Sequence, residues 1–136
     1  IAAVILVMLP NVVYLFYTPP NDPLSGNNAS YWLWNMLENI GRFGLMTTLC
    51  VVVNKTDSTQ SRIITTASAC SLIAYYALWI AYFAGTFNGL SLFGMALFPS
   101  VFFLLIAWRL RNGFALAFAT LFALMHIAIT GSNFLF

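Results

Sequence analysis

Charged residues are the scarcest feature of this chain. Of its 136 residues only 6% are Asp, Glu, Lys or Arg, whereas 62% are hydrophobic. A soluble domain carries roughly 25% charged residues because its surface faces water. The low charge and the mean hydropathy of +0.91 therefore exclude an ordinary soluble domain and indicate a protein of the lipid bilayer, which we expect to be the cell membrane.

The chain also lacks the sequence features of several function classes. It has no basic tract that would bind nucleic acid, and no soluble domain fits between its apolar runs. Glycine-rich phosphate loops, a nucleophile elbow and paired zinc histidines are absent as well. The two cysteines, Cys50 and Cys70, lie in separate apolar runs, so we expect buried, inert thiols rather than a disulfide. We predict no cofactor, no metal site and no nucleic-acid partner.

Long apolar runs are what the sequence has in abundance. A backbone that crosses lipid forms either helices or a closed barrel, and these runs lack the alternation of barrel strands. The sequence therefore predicts an all-α fold, a single domain over residues 1–136 that forms an integral membrane bundle of about five transmembrane helices. The predicted spans cover residues 1–17, 32–53, 63–85, 90–108 and 114–130. Because the sequence begins without a methionine, we expect residues before Ile1.

The basic residues predict the orientation of these spans. Lys55 and Arg62 lie between the second and third spans, and Arg109 and Arg111 lie between the fourth and fifth. The other loops contain no Lys or Arg. Positive charge favours the cytoplasmic side of a membrane, so the N-terminus is predicted to be cytoplasmic and the C-terminus to be outside.

Polar residues on the second span form one stripe. Asn35, Glu38, Asn39 and Arg42 recur at intervals of three and four, which places them on one face of a helix. A charged group at the centre of a bilayer costs about 2.5–3.5 kcal/mol on insertion scales, and pairing between Glu38 and Arg42 lowers that cost. The pair is either part of a binding site or an internal salt bridge that only helps the fold.

Polar residues on other spans lie at a similar depth. Glu38 and His126 are each about five residues from the outer end of their span, or ~7–8 Å at 1.5 Å per residue, and Asn11 and Trp79 lie near that level. Convergent polar groups in an apolar cavity are typical of ligand sites. The predicted ligand-binding candidates, in the outer half of the bundle, are Asn11, Glu38, Asn39, Arg42, Trp79 and His126.

Three functions are compatible with this pattern. The one we prefer is binding or transport of a small or lipophilic ligand, with Glu38 taking a cationic or hydrogen-bonding group. The second is an accessory or structural subunit of a larger membrane complex, whose partners are other membrane subunits or a second copy of the chain. The third is a membrane-embedded enzyme with Glu38 and His126 as an acid–base pair. Two groups are too few to define a reaction, so no catalytic residue is assigned.

Overall fold

The computed structural model describes residues 1–52 and 62–136. These residues form five α-helices and one short 3-10 turn and contain no strand, which confirms the all-α prediction. The elements are α1 (Ala2–Phe16), the 3-10 turn (Pro23–Gly26), α2 (Trp32–Val51), α3 (Arg62–Phe83), α4 (Gly89–Arg109) and α5 (Gly113–Phe134). The predicted end of the second span at residue 53 and the loop that contains Lys55 lie outside the described residues.

The last helix is longer than its predicted span. α5 ends at Phe134, whereas the sequence predicts that this span ends at about residue 130. The polar residues of this last turn have partners within the protein. Asn133 donates from its side chain to Asn27 Oδ1 at 2.9 Å and to the Asn28 carbonyl at 3.2 Å. Because these groups are satisfied, the helix continues through them.

Three helices, α3, α4 and α5, are long and apolar enough to cross a membrane. α1 is apolar but has only 15 residues. α2 has 20 residues, but its polar stripe makes it less hydrophobic than the other three. The structure therefore supports a membrane protein with at least three helices of this kind, and the predicted five spans and their orientation stay predictions.

Four of the helices pack in a row, in the order α2, α5, α4 and α3. α2 and α5 approach closely because Gly41 has no side chain, and a Cβ atom there would lie 2.6 Å from the Phe122 backbone nitrogen. Small residues on α5 favour the same close packing, and Ala115 and Ala119 are fully buried. This close approach brings the polar stripe of α2 next to α5.

α1 contacts α2, α3 and α4, and so lies over the open face of that row. It buries only Val7 and Pro10. Hydrogen bonds from α3 hold it in place, since the Tyr75 hydroxyl donates to the Val7 carbonyl at 3.3 Å and the Tyr76 hydroxyl donates to the Leu6 carbonyl at 2.7 Å. The helix thus covers the bundle without filling the space beneath it.

Candidate functional site

A cavity of about 350 Å³ lies between the five helices. Its volume falls within the range of about 300–1,000 Å³ that is typical of small-molecule sites. All of the candidate residues from the sequence line this cavity, namely Asn11, Glu38, Asn39, Arg42, Trp79 and His126. The structure therefore brings the whole set together around one space, while their role in ligand binding stays a prediction.

Glu38 is the centre of the polar cluster in this cavity. Its side chain is buried, and Oε1 accepts a hydrogen bond from Arg42 Nη2 and contacts His126 Nδ1 at 2.9 Å. The predicted ion pair between Glu38 and Arg42 is thus confirmed. An ionised carboxylate only accepts hydrogen bonds, so His126 Nδ1 carries the hydrogen in this contact. A buried carboxylate therefore has two donors, one from its own helix and one from α5.

Phe122 orders the two donors. The imidazole of His126 stacks on the Phe122 ring, with 4.9 Å between centroids and 18° between planes. Cζ of Arg42 lies 5.7 Å from the centroid of the same ring, within the range of a cation–π contact. Nothing in the sequence distinguishes Phe122, because one phenylalanine four residues before a histidine looks like any other apolar core residue.

Asn11 and Trp79 lie on the α1 and α3 side of the cavity. Asn11 Nδ2 donates to the Tyr75 hydroxyl at 3.0 Å and to the Val7 carbonyl at 3.1 Å. Trp79 is only 5% exposed, and its Nε1 is a buried polar atom without a hydrogen-bond partner among residues 1–52 and 62–136. The ring of Tyr75 packs edge-on against the indole at 6.3 Å. The Tyr75 hydroxyl lies close to Trp79 Nε1, but no hydrogen bond of ordinary length and angle joins them, so a residue of the cavity lining has a buried N–H that the described residues do not satisfy.

Asn35 and Asn39, the other members of the α2 stripe, occupy different positions at the cavity. Asn39 is an exposed residue and lies at the margin of the cavity. The Asn35 side chain donates to the Ala29 carbonyl and accepts from the Ala29 N–H, both at 2.9 Å. Asn35 therefore fixes the segment before α2 rather than offering its amide to the cavity.

Residues 17–31, which connect α1 to α2, cover one end of the cavity through Leu24, Asn27 and Asn28. Asn27 Nδ2 donates to the Thr130 hydroxyl on α5 at 2.9 Å. Asp22 accepts hydrogen bonds from the hydroxyl of Tyr14 on α1 at 2.5 Å and from that of Tyr82 on α3. This connection is therefore attached to several helices at once.

Asp22 has an altered acidity in this arrangement. Partial burial raises the pKa of Asp22. Hydrogen bonds from the Tyr14 and Tyr82 hydroxyls and from the backbone of Ser25 and Leu24 lower it by more, so the pKa lies below its ordinary value of 3.8. The turn residues in segment 18–30 predict only a loop. A lone aspartate among prolines gives no sign of tyrosine partners that lie 8 and 60 residues away.

The donor set at Glu38 is suited to hydrogen bonding rather than metal binding. Within the described ranges, 1–52 and 62–136, no group of three or more His, Cys, Asp or Glu residues is placed to hold a metal ion. A protein metal site of the zinc type takes three or four such ligands, whereas Glu38 and His126 are two. The cluster is able to bind a polar group at one end of a ligand and to exchange a proton with it.

Comparison with known proteins identifies no relative of this chain. No protein-family model, no curated protein and no solved structure matches the chain.

Proposed function

We propose that this protein is a multi-pass protein of the cell membrane that binds, and in that way carries, a small lipophilic ligand in its central cavity. The five helices cross the bilayer with the N-terminus in the cytoplasm and the C-terminus outside. Three arginines support this orientation, because Arg62 begins α3, Arg109 ends α4 and Arg111 lies in the turn between α4 and α5. These positions are on one side of the bundle, and positive charge favours the cytoplasmic side.

The observation that carries this proposal is the contrast between the walls of the cavity and its polar cluster. Apolar side chains make up most of the lining, including Val7, Leu45, Met46, Leu92, Met95 and Phe103. Glu38, Arg42 and His126 meet at one place on this apolar surface. Apolar walls bury the body of a ligand, and a few fixed polar groups orient it. This is the general construction of a small-molecule site.

The energetics of the ion pair also support a role beyond folding. A buried ion pair is an inefficient stabiliser, because the cost of removing two charges from water offsets most of their attraction. Glu38 and Arg42 would contribute little to the bundle that an apolar pair would not. Their position on the wall of a cavity, next to a histidine, is better explained by contact with a ligand.

Native mass spectrometry of the protein extracted in its own lipid tests the proposal. We expect a small molecule that stays bound to the wild-type protein. Ala96 lines the cavity and is 1% exposed, so Ala96→Leu should fill part of the space and release the molecule. Ile80 is 69% exposed on α3 and does not line the cavity, so Ile80→Leu is the matched control that should retain it.

Two results would contradict the proposal. A protein partner that stays bound without any small molecule would favour the accessory subunit, with Glu38 and Arg42 as part of the fold. Equal retention of the molecule in wild type and in the Ala96→Leu variant would place it on the surface of the bundle rather than in the cavity.

A membrane-embedded enzyme is the second candidate, and one specific distance favours it. Glu38 and His126 lie within 2.9 Å of each other, as an acid–base pair requires. With Nδ1 engaged by Glu38, Nε2 of His126 would be the atom that exchanges a proton with a substrate. Chemical change of the retained molecule on incubation, lost in His126→Gln while binding persists, would support this candidate over simple binding.

A further inference from the structure

Among the buried side-chain polar atoms of the described residues, the one without a hydrogen-bond partner is a donor, Trp79 Nε1. Glu38 is the only Asp or Glu among the described residues of the cavity lining. Its Oε1 already takes Arg42 and His126. Arginine keeps its positive charge in proteins, so a cationic ligand would compete with Arg42 for the Glu38 carboxylate. This arrangement disfavours the cationic ligand that the sequence alone suggested for Glu38.

Two side chains of the cavity, Trp79 and Arg42, have N–H groups that could bond to a ligand. Trp79 Nε1 is a buried N–H without a partner among the described residues, and an indole nitrogen only donates. Buried donors of this kind are rare in native proteins. A guanidinium has five N–H groups, and among the described residues Arg42 uses one of them, on Nη2, to bond to Glu38. The Arg42 side chain is 37% exposed. Acceptor atoms are present as well, namely Glu38 Oε2, His126 Nε2 and the amide oxygens of Asn11 and Asn39. The cavity is therefore distinguished by one buried N–H group without a partner among the described residues, not by a lack of acceptors.

A second carboxylate would fit this cavity poorly. The charge of Arg42 is balanced by Glu38, so an anionic ligand would lie close to an existing anion. Charges interact strongly where the dielectric constant is low, and a charged group inside a bilayer is itself costly. A neutral acceptor can bond to Trp79 Nε1 and to Arg42 without either penalty.

We infer that the ligand is a neutral lipophile that presents carbonyl-type oxygen atoms to Trp79 and Arg42. This inference rests on the proposed function and specifies the chemical class of its ligand. Met8, Met46 and Met95 line the cavity, and methionine is flexible and polarisable, so these residues adapt to an apolar body of irregular shape. Ketones, esters and quinones share the required chemistry.

A matched set of probes tests this inference. Trp79 is one of four tryptophans, and replacing Trp32, Trp34 and Trp108 with Phe leaves it as the only indole signal. The protein, 15N-labelled at tryptophan and held in lipid nanodiscs, is titrated with 2-decanone, decane, decylamine and decanoate, which share one chain length. Affinities are expressed per mole fraction of probe in the lipid.

We expect 2-decanone to bind about three- to tenfold more tightly than decane, as one additional hydrogen bond predicts. The indole proton of Trp79 should move downfield with 2-decanone but not with decane. Decylamine and decanoate should bind more weakly than 2-decanone. In full-tryptophan protein followed by native mass spectrometry, Trp79→Phe should lose the preference for the ketone and still take up decane, while Trp108→Phe should keep that preference.

Other results would overturn the inference, and they separate it from the proposed function. Equal affinity for decane and 2-decanone, or an indole signal that 2-decanone leaves in place, would refute the ligand class and leave a lipophile-binding cavity. Tighter binding of decylamine would make Glu38 the recognising group, and tighter binding of decanoate would assign that role to Arg42. Failure of all four probes to bind saturably would remove both the inference and the proposed function.

Discussion

α1 and α4 differ in how they are held, although both are apolar and both contain a proline. α4 buries nine residues between its neighbours, whereas α1 buries two. α1 is instead attached by side-chain hydrogen bonds from Tyr75 and Tyr76 and through Tyr14 and Asp22. Apolar composition therefore does not determine how tightly a helix packs. The cavity exists because α1 covers the row of helices without interlocking with it.

The largest effect is expected from breaking the ion pair on the packed side of the cavity. Glu38→Leu leaves Arg42 and His126 without their acceptor, and we expect the free energy of unfolding to fall by about 2–4 kcal/mol. This range lies slightly below that of a fully buried pair because Arg42 is partly exposed. Denaturant unfolding in lipid nanodiscs measures it. The double variant Glu38→Leu, Arg42→Leu should recover much of the loss, and a double variant no more stable than Glu38→Leu would contradict this account.

The next effect concerns the contact between α2 and α5. Gly41→Ala places a Cβ atom 2.6 Å from the Phe122 backbone nitrogen, and overpacking of this kind costs about 1–3 kcal/mol. Gly113→Ala is the matched control, because a Cβ atom there meets nothing within 4 Å. Thermal unfolding of the two variants checks the difference. Equal midpoints would show that α2 and α5 are not in close contact.

A smaller effect is expected on the α1 side. Tyr75→Phe removes the hydroxyl that bonds to Asn11 and Val7, and we expect a cost of about 1 kcal/mol, as for a typical hydrogen bond. Because α1 has little other packing, its backbone amides should exchange with solvent faster, while those of α4 should not change. Hydrogen exchange followed by mass spectrometry tests this, and equal acceleration in α1 and α4 would mean that the two helices are held alike.

The smallest effect is a pH dependence of the α1–α2 connection. The pKa of Asp22 is lowered in the folded protein, so its stabilising contribution is complete above pH 3.8 and is lost as the pH falls below that value. Exchange of the amides in residues 23–28 should therefore rise in acid in the wild-type protein. Asp22→Asn should remove this acid step, and an unchanged step in that variant would assign it to another group.

The sequence predicted the helices and the polar cluster because both depend on short-range patterns. Apolar runs place spans within a few residues, and the i, i+4 spacing of Glu38 and Arg42 is enough to predict their ion pair. A shared depth in the membrane was also enough to group Asn11, Trp79 and His126 with them. Each of these inferences needs only the rise of a helix and the thickness of lipid.

Other features of the site depend on which helices are neighbours, and helix neighbours cannot be predicted from a single sequence. The stacking of Phe122 on His126 requires α2 to lie against α5 at Gly41. The attachment of Asp22 by Tyr14 and Tyr82 requires α1 and α3 to end side by side. Aromatic residues are common in apolar helices, so their positions alone did not identify these contacts.

Contact quenching of Trp79 tests most directly whether a lipophile occupies the space beneath α1. Protein with Trp79 as its only tryptophan is titrated with bromodecane and compared with protein that retains only Trp108, which is 63% exposed at the other end of the bundle. We predict saturable quenching of Trp79, lost in the cavity-filling Ala96→Leu variant, and linear quenching of Trp108 by bromodecane dissolved in the lipid. Linear quenching of both tryptophans, unaffected by Ala96→Leu, would contradict a binding cavity.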